Sequence, residues 1–229
     1  MGIIQLHTSA AAGDEIARLI NLRADCTLRK KTSAQYKSMP WVSNPKFTTT
    51  ELYVFPIGSS LRDNSAIWRV SMADVPESGP FSPLPAYNRI ITLVQGKGFR
   101  LAGNMGTKVE IKPGVLYPFS GVEAIDCELL DGPCLDLNLM YQGDKVKGSL
   151  TLLEQASPIQ ASVTTQSGKE IIIIICLKGR ATVKAFGKRT NTLLPHDSIY
   201  FSTNEEHGRL ILSAQADSKV ALVSIENRA

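Results

Sequence analysis

Histidine and cysteine are scarce in this 229-residue chain, and both shortages narrow the chemistry open to it. The three histidines (His7, His196, His207) lie far apart, and none pairs with another candidate ligand at metal-binding spacing. A metal site needs three or four convergent ligands, so counting argues for a metal-free protein without a cofactor. The four cysteines (Cys26, Cys127, Cys134, Cys176) include no CxxC pair and read as small core hydrophobes in a reducing compartment, with the cytoplasm expected. Ser71, Ser82, Cys127 and Cys134 have no histidine near them in the first half, so no Ser-His or Cys-His couple can be drawn. Long apolar runs are also missing: Ile171 to Leu177 has the length and β-branching of a buried strand. Before Arg18 there is no lysine or arginine, and Ile3, Ile4 and Leu6 are too few for a signal sequence; Leu6 also stands where a myristoylation motif wants Ser or Thr. Charge of one sign is modest, a formal +4, and its one cluster (Arg23, Arg29, Lys30, Lys31, Lys37) reads as a solvated face. No RNA-binding aromatic pattern, helix-turn-helix or zinc-finger spacing goes with it, and nucleic acid and membrane are both excluded as expected partners.

What is present is β structure. Hydrophobic residues make up 43% and charged residues 20%, enough for a sizeable core. Residues 14–24 predict a short amphipathic helix, with Ile16, Leu19 and Ile20 at helical spacing behind Asp14 and Glu15. After it, short β-branched and aromatic segments alternate with Gly, Pro, Asn and Ser turns. One pattern occurs twice. Leu93-Val94-Gln95-Gly96-Lys97-Gly98 leads to Pro113-Gly114 and Phe119-Ser120; Leu177-Lys178-Gly179-Arg180 leads to Pro195-His196 and Phe201-Ser202. Two copies mean domain duplication, not a solenoid. The predicted division is a 1–27 extension, a 28–145 barrel and a 146–229 barrel, the break marked by Gly143-Asp144-Lys145 and Gly148. Gly96-Lys97-Gly98 is a hairpin turn rather than a phosphate loop, because no helix follows.

The strand-Gly-strand hairpin and later Pro-led turn resemble the cupin barrel, a jelly roll. Trp68-Arg69-Val70-Ser71-Met72-Ala73-Asp74-Val75, Ser78-Gly79-Pro80-Phe81-Ser82, Pro85-Ala86-Tyr87-Asn88-Arg89-Ile90-Ile91-Thr92-Leu93, and the run Asp126 to Met140 resemble the signature blocks of the HutD/Ves family. Met39-Pro40-Trp41 and Thr50-Glu51-Leu52 are similar to its first block. The resemblance covers roughly residues 28–225 and implies an all-β fold of two cupin barrels, a bicupin, with a link to histidine utilisation. Val42-Ser43-Asn44-Pro45-Lys46-Phe47 departs from the family's Lys-Asn and glycine-rich stretch, which bears on the ligand if that stretch lines the pocket. Metal-binding cupins carry two histidines and a glutamate, with a third histidine after the turn. By that comparison Arg89 stands in the glutamate's place, Ser82 and Leu84 near the histidines', Tyr117 and Phe119 after the turn, and Ile172 is the second barrel's counterpart of Arg89.

The candidate site rests on alternation and charge. Arg69 and Ser71 alternate against Trp68, Val70 and Met72; Asp136 and Asn138 alternate against Leu135, Leu137 and Leu139. Each set points to one face, either solvent or pocket, and the resemblance favours pocket. Arg89 is expected to share a face with Tyr87, Ile91 and Leu93, and an arginine beside apolar surface seeks a carboxylate, from a ligand or from Asp136, Asp126 or Glu128. Phe81, Tyr87 and Phe119 are either walls of the site or core aromatics. Asp131-Gly132-Pro133 reads first as a turn. The ligand-binding set is therefore Arg69, Ser71, Tyr87, Arg89, Phe119, Asp136 and Asn138. The expected partner is a small anionic metabolite, with a homodimer left open; the resemblance suggests sensing or buffering of an N-formyl or N-formimino acidic amino acid. Two other readings stay open: a metal-independent isomerase or hydrolase with Asp136 or Tyr87 as acid/base, and a scaffold whose second barrel, built on Ile171–Ile175, supports the first.

Overall fold

The computed structural model describes residues 3–6, 26–41, 47–164, 170–185, 189–203 and 209–228. Helical structure among them is a single 3-10 turn, Ser33–Gln35, and no helix among them is long and apolar enough to cross a membrane. The helix expected over 14–24 lies outside the described residues, as do His7 and His207 and most of the Val42–Phe47 stretch.

The strands follow in chain order. The first are β1 (Ile3–Leu6), β2 (Cys26–Lys31), β3 (Lys37–Pro40), β4 (Thr48–Phe55), β5 (Trp68–Val75), β6 (Gly79–Pro80) and β7 (Asn88–Gln95). Then come β8 (Phe99–Gly103), β9 (Lys108–Ile111), β10 (Leu116–Ser120), β11 (Ile125–Leu129), β12 (Cys134–Tyr141) and β13 (Val146–Glu154). The last are β14 (Ile159–Thr164), β15 (Glu170–Lys178), β16 (Ala181–Ala185), β17 (Asn191–Leu193), β18 (Ser198–Thr203), β19 (Arg209–Ala214) and β20 (Lys219–Asn227).

They form two compact units, one of Ala34–Leu152 with Asn227–Ala229, the other of Met1–Ser33 with Leu153–Glu226. The division thus differs from the expected boundaries. A turn does break the chain where the glycines stand, with the amides of Lys145 and Val146 both donating to the Gln142 carbonyl. β13 then carries on to Glu154, so the boundary between Leu152 and Leu153 falls within that strand. Residues 1–27, expected as an extension, supply that unit with β1, paired to β14 from Ile3↔Thr164 to Leu6↔Ala161, while β2 lies along β18.

In the Ala34–Leu152 unit a six-stranded sheet, β10-β7-β12-β5-β4-β3, accompanies a four-stranded one, β6-β11-β8-β9, and every pairing is antiparallel. Val75, Ile91 and Leu93 of the larger sheet meet Phe99, Leu101 and Ile125 of the smaller in one buried cluster. Each such side chain contributes about 1.5–3 kcal/mol by leaving water. The same face of β5, β7 and β12 continues past that cluster and becomes polar, which is where the site lies.

In the other unit β1-β14-β19-β16-β17 form one sheet, and β20-β15-β18-β2 run side by side in a second. Ile172, Ile174 and Cys176 of β15 pack with Val183, Leu210 and Leu212, so this interior is apolar where the first is partly polar. The duplicated turns have matching backbones. Gly96 and Gly179 both take positive φ (105° and 77°), as do Gly114 and His196 (85° and 69°), the residues after Pro113 and Pro195. An added Cβ on Gly96 would meet Cys134 Sγ at 2.6 Å and the Pro133 carbonyl at 2.8 Å, so space as well as φ requires glycine there.

Candidate functional site

Register across three strands assembles the site. Asn138 on β12 lies opposite Ser71 on β5, and Met140 lies between Arg69 on β5 and Arg89 on β7. Asp136 faces Ala73 on one side and Leu93 on the other. With a side-chain period of two, these residues share one face of the sheet. Arg69, Ser71, Arg89, Asp136 and Asn138 all line a single cavity of about 200 Å³, together with residues such as Met39, Trp41, Leu61, Arg62 and Met140.

These polar groups are deeply buried: Ser71 and Asp136 are 1% exposed, Asn138 2% and Arg89 5%. They are also unsatisfied. Among the described residues no hydrogen-bond partner meets Arg69 Nε, Ser71 Oγ, Arg89 Nε, either carboxylate oxygen of Asp136 or Asn138 Oδ1. The arginines have only weak contacts. Arg89 Nη1 reaches the Ser82 carbonyl at 3.4 Å, and Arg69 Nη2 the Met140 sulfur at 3.9 Å. The Arg89 guanidinium lies between two rings, 4.7 Å from the Phe119 centroid and 5.3 Å from Phe81. No salt bridge joins either arginine to Asp136, and Glu128, a possible partner by sequence, is bound to Arg100 at 2.7 Å. Six unmet atoms on five residues are far from the usual economy of buried polar groups, which nearly always find partners.

Electrostatics follow from this burial. Loss of water pushes the Asp136 carboxyl up to about 7, against the opposing pulls of Arg89 and of the neighbouring Asn138 amide, which lies too far or too askew for a full hydrogen bond. It pulls the Arg89 guanidinium down to about 10, with Asp136 opposing. Arg69 is lowered as well, burial again dominating, with Glu51 the acid that most favours its charge. At neutral pH both arginines keep their protons, while Asp136 holds its own proton well above the ordinary carboxylate range.

Two residues of the sequence-derived set take other places. Tyr87 is not on the cavity wall: β7 begins at Asn88, so alternation does not carry Tyr87 to the Arg89 face. Its ring is buried with Leu61, Ala66 and Met140, and its hydroxyl donates to the Ala66 carbonyl at 2.8 Å. Phe119, opposite Arg89 on β10, touches the site through its ring contact with that guanidinium and does not line the cavity. Trp41 and Arg62, by contrast, line it without having stood among the candidates. Trp41 packs edge-on against Phe47 and Phe81, and its buried indole N–H has no partner among the described residues. Both residues sit outside regular strands, where periodicity gives no signal. No group of three His, Cys, Asp or Glu side chains able to hold a metal ion occurs among the described residues.

The family model for HutD matches residues 33–222. The chain belongs to the HutD family. A 21.2 kDa protein of the hutC 3' region of Pseudomonas putida is 28% identical over 193 residues, 84% of this chain and 94% of that one. A protein Ves, from Citrobacter koseri, is 30% identical over 108 residues, 47% of this chain and 54% of its own. Among solved structures, a conserved protein of Pseudomonas aeruginosa PAO1 superposes with a TM-score of 0.77 at 26% identity, covering 87% of this chain and 99% of its own. HutD from Pseudomonas fluorescens SBW25, in a formate condition, gives 0.70 at 26% identity, covering 89% and 100%. YhhW of Escherichia coli, at 10% identity and a TM-score of 0.60 over 86% of this chain and 97% of its own, shows the fold alone. The HutD-family chain is thus an all-β bicupin, as its strand blocks and repeated turns lead one to expect.

Proposed function

We propose that this HutD-family protein binds a small carboxylate metabolite in the cavity of its Ala34–Leu152 barrel, as a sensor or buffer of that metabolite and without a metal. The observation that carries this reading is the set of unmet hydrogen-bonding atoms on Arg69, Ser71, Arg89, Asp136 and Asn138 around one cavity. Leaving buried polar atoms unpaired costs about 1–3 kcal/mol each, and a ligand that pairs with them recovers that cost. The chemistry of the set is specific. Two arginine N–H groups call for an acid, while the oxygens of Asp136 and Asn138 call for N–H or O–H donors on the same molecule. At ~30 Å³ per water, the cavity holds roughly seven waters or a metabolite of comparable size. The guanidinium of Arg89, where a metal-binding cupin has a carboxylate, repels a cation and attracts an anion. The family's link to histidine utilisation points to an N-formyl or N-formimino acidic amino acid, which has both an acid and an N–H donor.

The second reading, a metal-independent isomerase or hydrolase, draws on Asp136 alone. A carboxyl held near neutrality by burial suits general acid/base work. Tyr87, the other candidate, already donates its hydroxyl to Ala66.

The test is calorimetric titration with N-acetylalanine, a small acid with one N–H donor. Arg89→Met is expected to weaken binding more than tenfold, since a hydrogen bond to a charged group contributes about 1.5–3 kcal/mol. Because Arg89 has no ion-pair partner to strand among the described residues, the same change is expected to cost no more than about 2 kcal/mol of folding stability, the scale of ring contacts shielded from water. Full affinity in a folded Arg89→Met protein overturns the proposal. A stability loss of about 3–5 kcal/mol would instead mark a closed, structural ion pair.

A further inference from the structure

The cavity wall carries three arginines, Arg62, Arg69 and Arg89, and one carboxylate, Asp136. Arg89 is buried and Arg69 half-buried, whereas Arg62 is exposed and stands in the loop between β4 and β5. That loop is fixed by its own hydrogen bonds. The Arg62 amide donates to Ser60 Oγ at 3.1 Å, the Ser60 amide to Ser65 Oγ at 2.9 Å, and the Ala66 amide to the Ser60 carbonyl at 3.1 Å. Asp63, the acid next to Arg62, is engaged by Ser65, which donates to its Oδ1 from both the hydroxyl (2.6 Å) and the amide (3.0 Å). The Arg62 guanidinium has no ion-pair or hydrogen-bond partner among the described residues. A cation on a fixed loop at the mouth of a buried anion site, with its neighbouring acid occupied elsewhere, is a free ligand for a second acid group.

From this juxtaposition we propose that Arg62 is a specificity residue that reads a second carboxylate, so that the site selects diacids over monoacids; this rests on the reading of the cavity as a carboxylate site. Charge counting supports it. With Asp136 ionised the lining is two positive charges in excess, and one ligand carboxylate cancels only one of them. A diacid brings the second, and the rim places it where water and Arg62 share it, at less cost than another buried charge.

The test compares N-acetylalanine with N-acetylaspartate, which differ by one carboxylate, in calorimetric titrations of the full chain and its Arg62→Gln and Arg62→Lys variants. An exposed arginine–carboxylate contact is expected to favour the diacid about fivefold. The preference should fall to about one in Arg62→Gln, return in part in Arg62→Lys, and shrink as salt is raised. Equal affinities for the two acids in the unaltered protein, or an unchanged ratio in Arg62→Gln, overturn the role of Arg62 and leave the carboxylate reading standing. If neither acid binds the unaltered protein at millimolar concentration, the carboxylate reading fails, and this inference with it.

Discussion

At the scale of single residues, Asp136 sets the behaviour of the site. Its folded-state pKa is raised from the ordinary carboxylate range to about 7, chiefly by burial. In the unfolded chain it ionises in the usual range, so between that range and about pH 7 the unfolded state has lost a proton that the folded state still holds. Stability therefore falls as pH rises through this window, the reverse of a salt-bridged aspartate. Asp136→Asn keeps the shape and removes the titration. Urea unfolding of both proteins at pH 4.5 and 7.5 should show the unaltered protein losing stability relative to Asp136→Asn as pH rises. Parallel pH profiles would mean that Asp136 ionises as freely in the fold as in the open chain. Other carboxylates titrate in both proteins and cancel in the difference, which makes this comparison specific.

At the scale of elements, the two Pro-led turns offer a matched pair. Gly114 and His196 both occupy the left-handed region, but only glycine does so at no steric cost. Gly114→Ala is expected to destabilise by about 1 kcal/mol through backbone strain alone, because nothing lies within 4 Å of its added Cβ. His196→Gly is expected to be neutral or to gain up to about 1 kcal/mol, strain relief being offset by a freer unfolded chain. Urea midpoints of the two variants should thus move apart, and a marked loss in His196→Gly would assign the imidazole a structural contact of its own. The turns were legible because Gly and Pro are the strongest local punctuation. So were β5 and β12, whose strict alternation puts Arg69 with Ser71 and Asp136 with Asn138. The face of Tyr87 was not legible, because it depends on whether β7 starts one residue earlier, and strand ends have no period. The lack of an ion pair between Arg89 and Asp136 could not be read at all, since it depends on the register of strands more than forty residues apart in sequence. For the same reason the pairing of Ile3 with Thr164 left no trace in local pattern.

At the scale of the whole molecule, that N-terminal pairing gives the basic cluster a meaning. Arg29, Lys30 and Lys31 lie on β2, at the edge of its sheet beside β18, and Lys37 lies on β3, the edge of the six-stranded sheet. Charged residues on a sheet edge oppose pairing with another chain, which gives Arg29, Lys30, Lys31 and Lys37 a role in the fold itself. Lys30 also fastens its strand, its Nζ donating to the Thr192 carbonyl at 2.6 Å and standing 3.1 Å from Asp197. A chain lacking residues 1–31 would uncover β18 and β14 at once, exposing the uncharged runs Ser198–Phe201 and Ile159–Val163 on open edges. It is expected to unfold at lower urea by circular dichroism and to associate with rising concentration in sedimentation velocity. Both tryptophans, Trp41 and Trp68, lie in the Ala34–Leu152 unit, so their fluorescence follows that unit alone and shows whether it stays folded in the truncated chain. Lys30→Met is the milder companion. The lysine is 30% exposed, so its loss should cost only about 0.5–1 kcal/mol, with no change in association because β2 remains in place. A truncated chain that stays monomeric with an unshifted midpoint would show that the second barrel closes without its N-terminal strands.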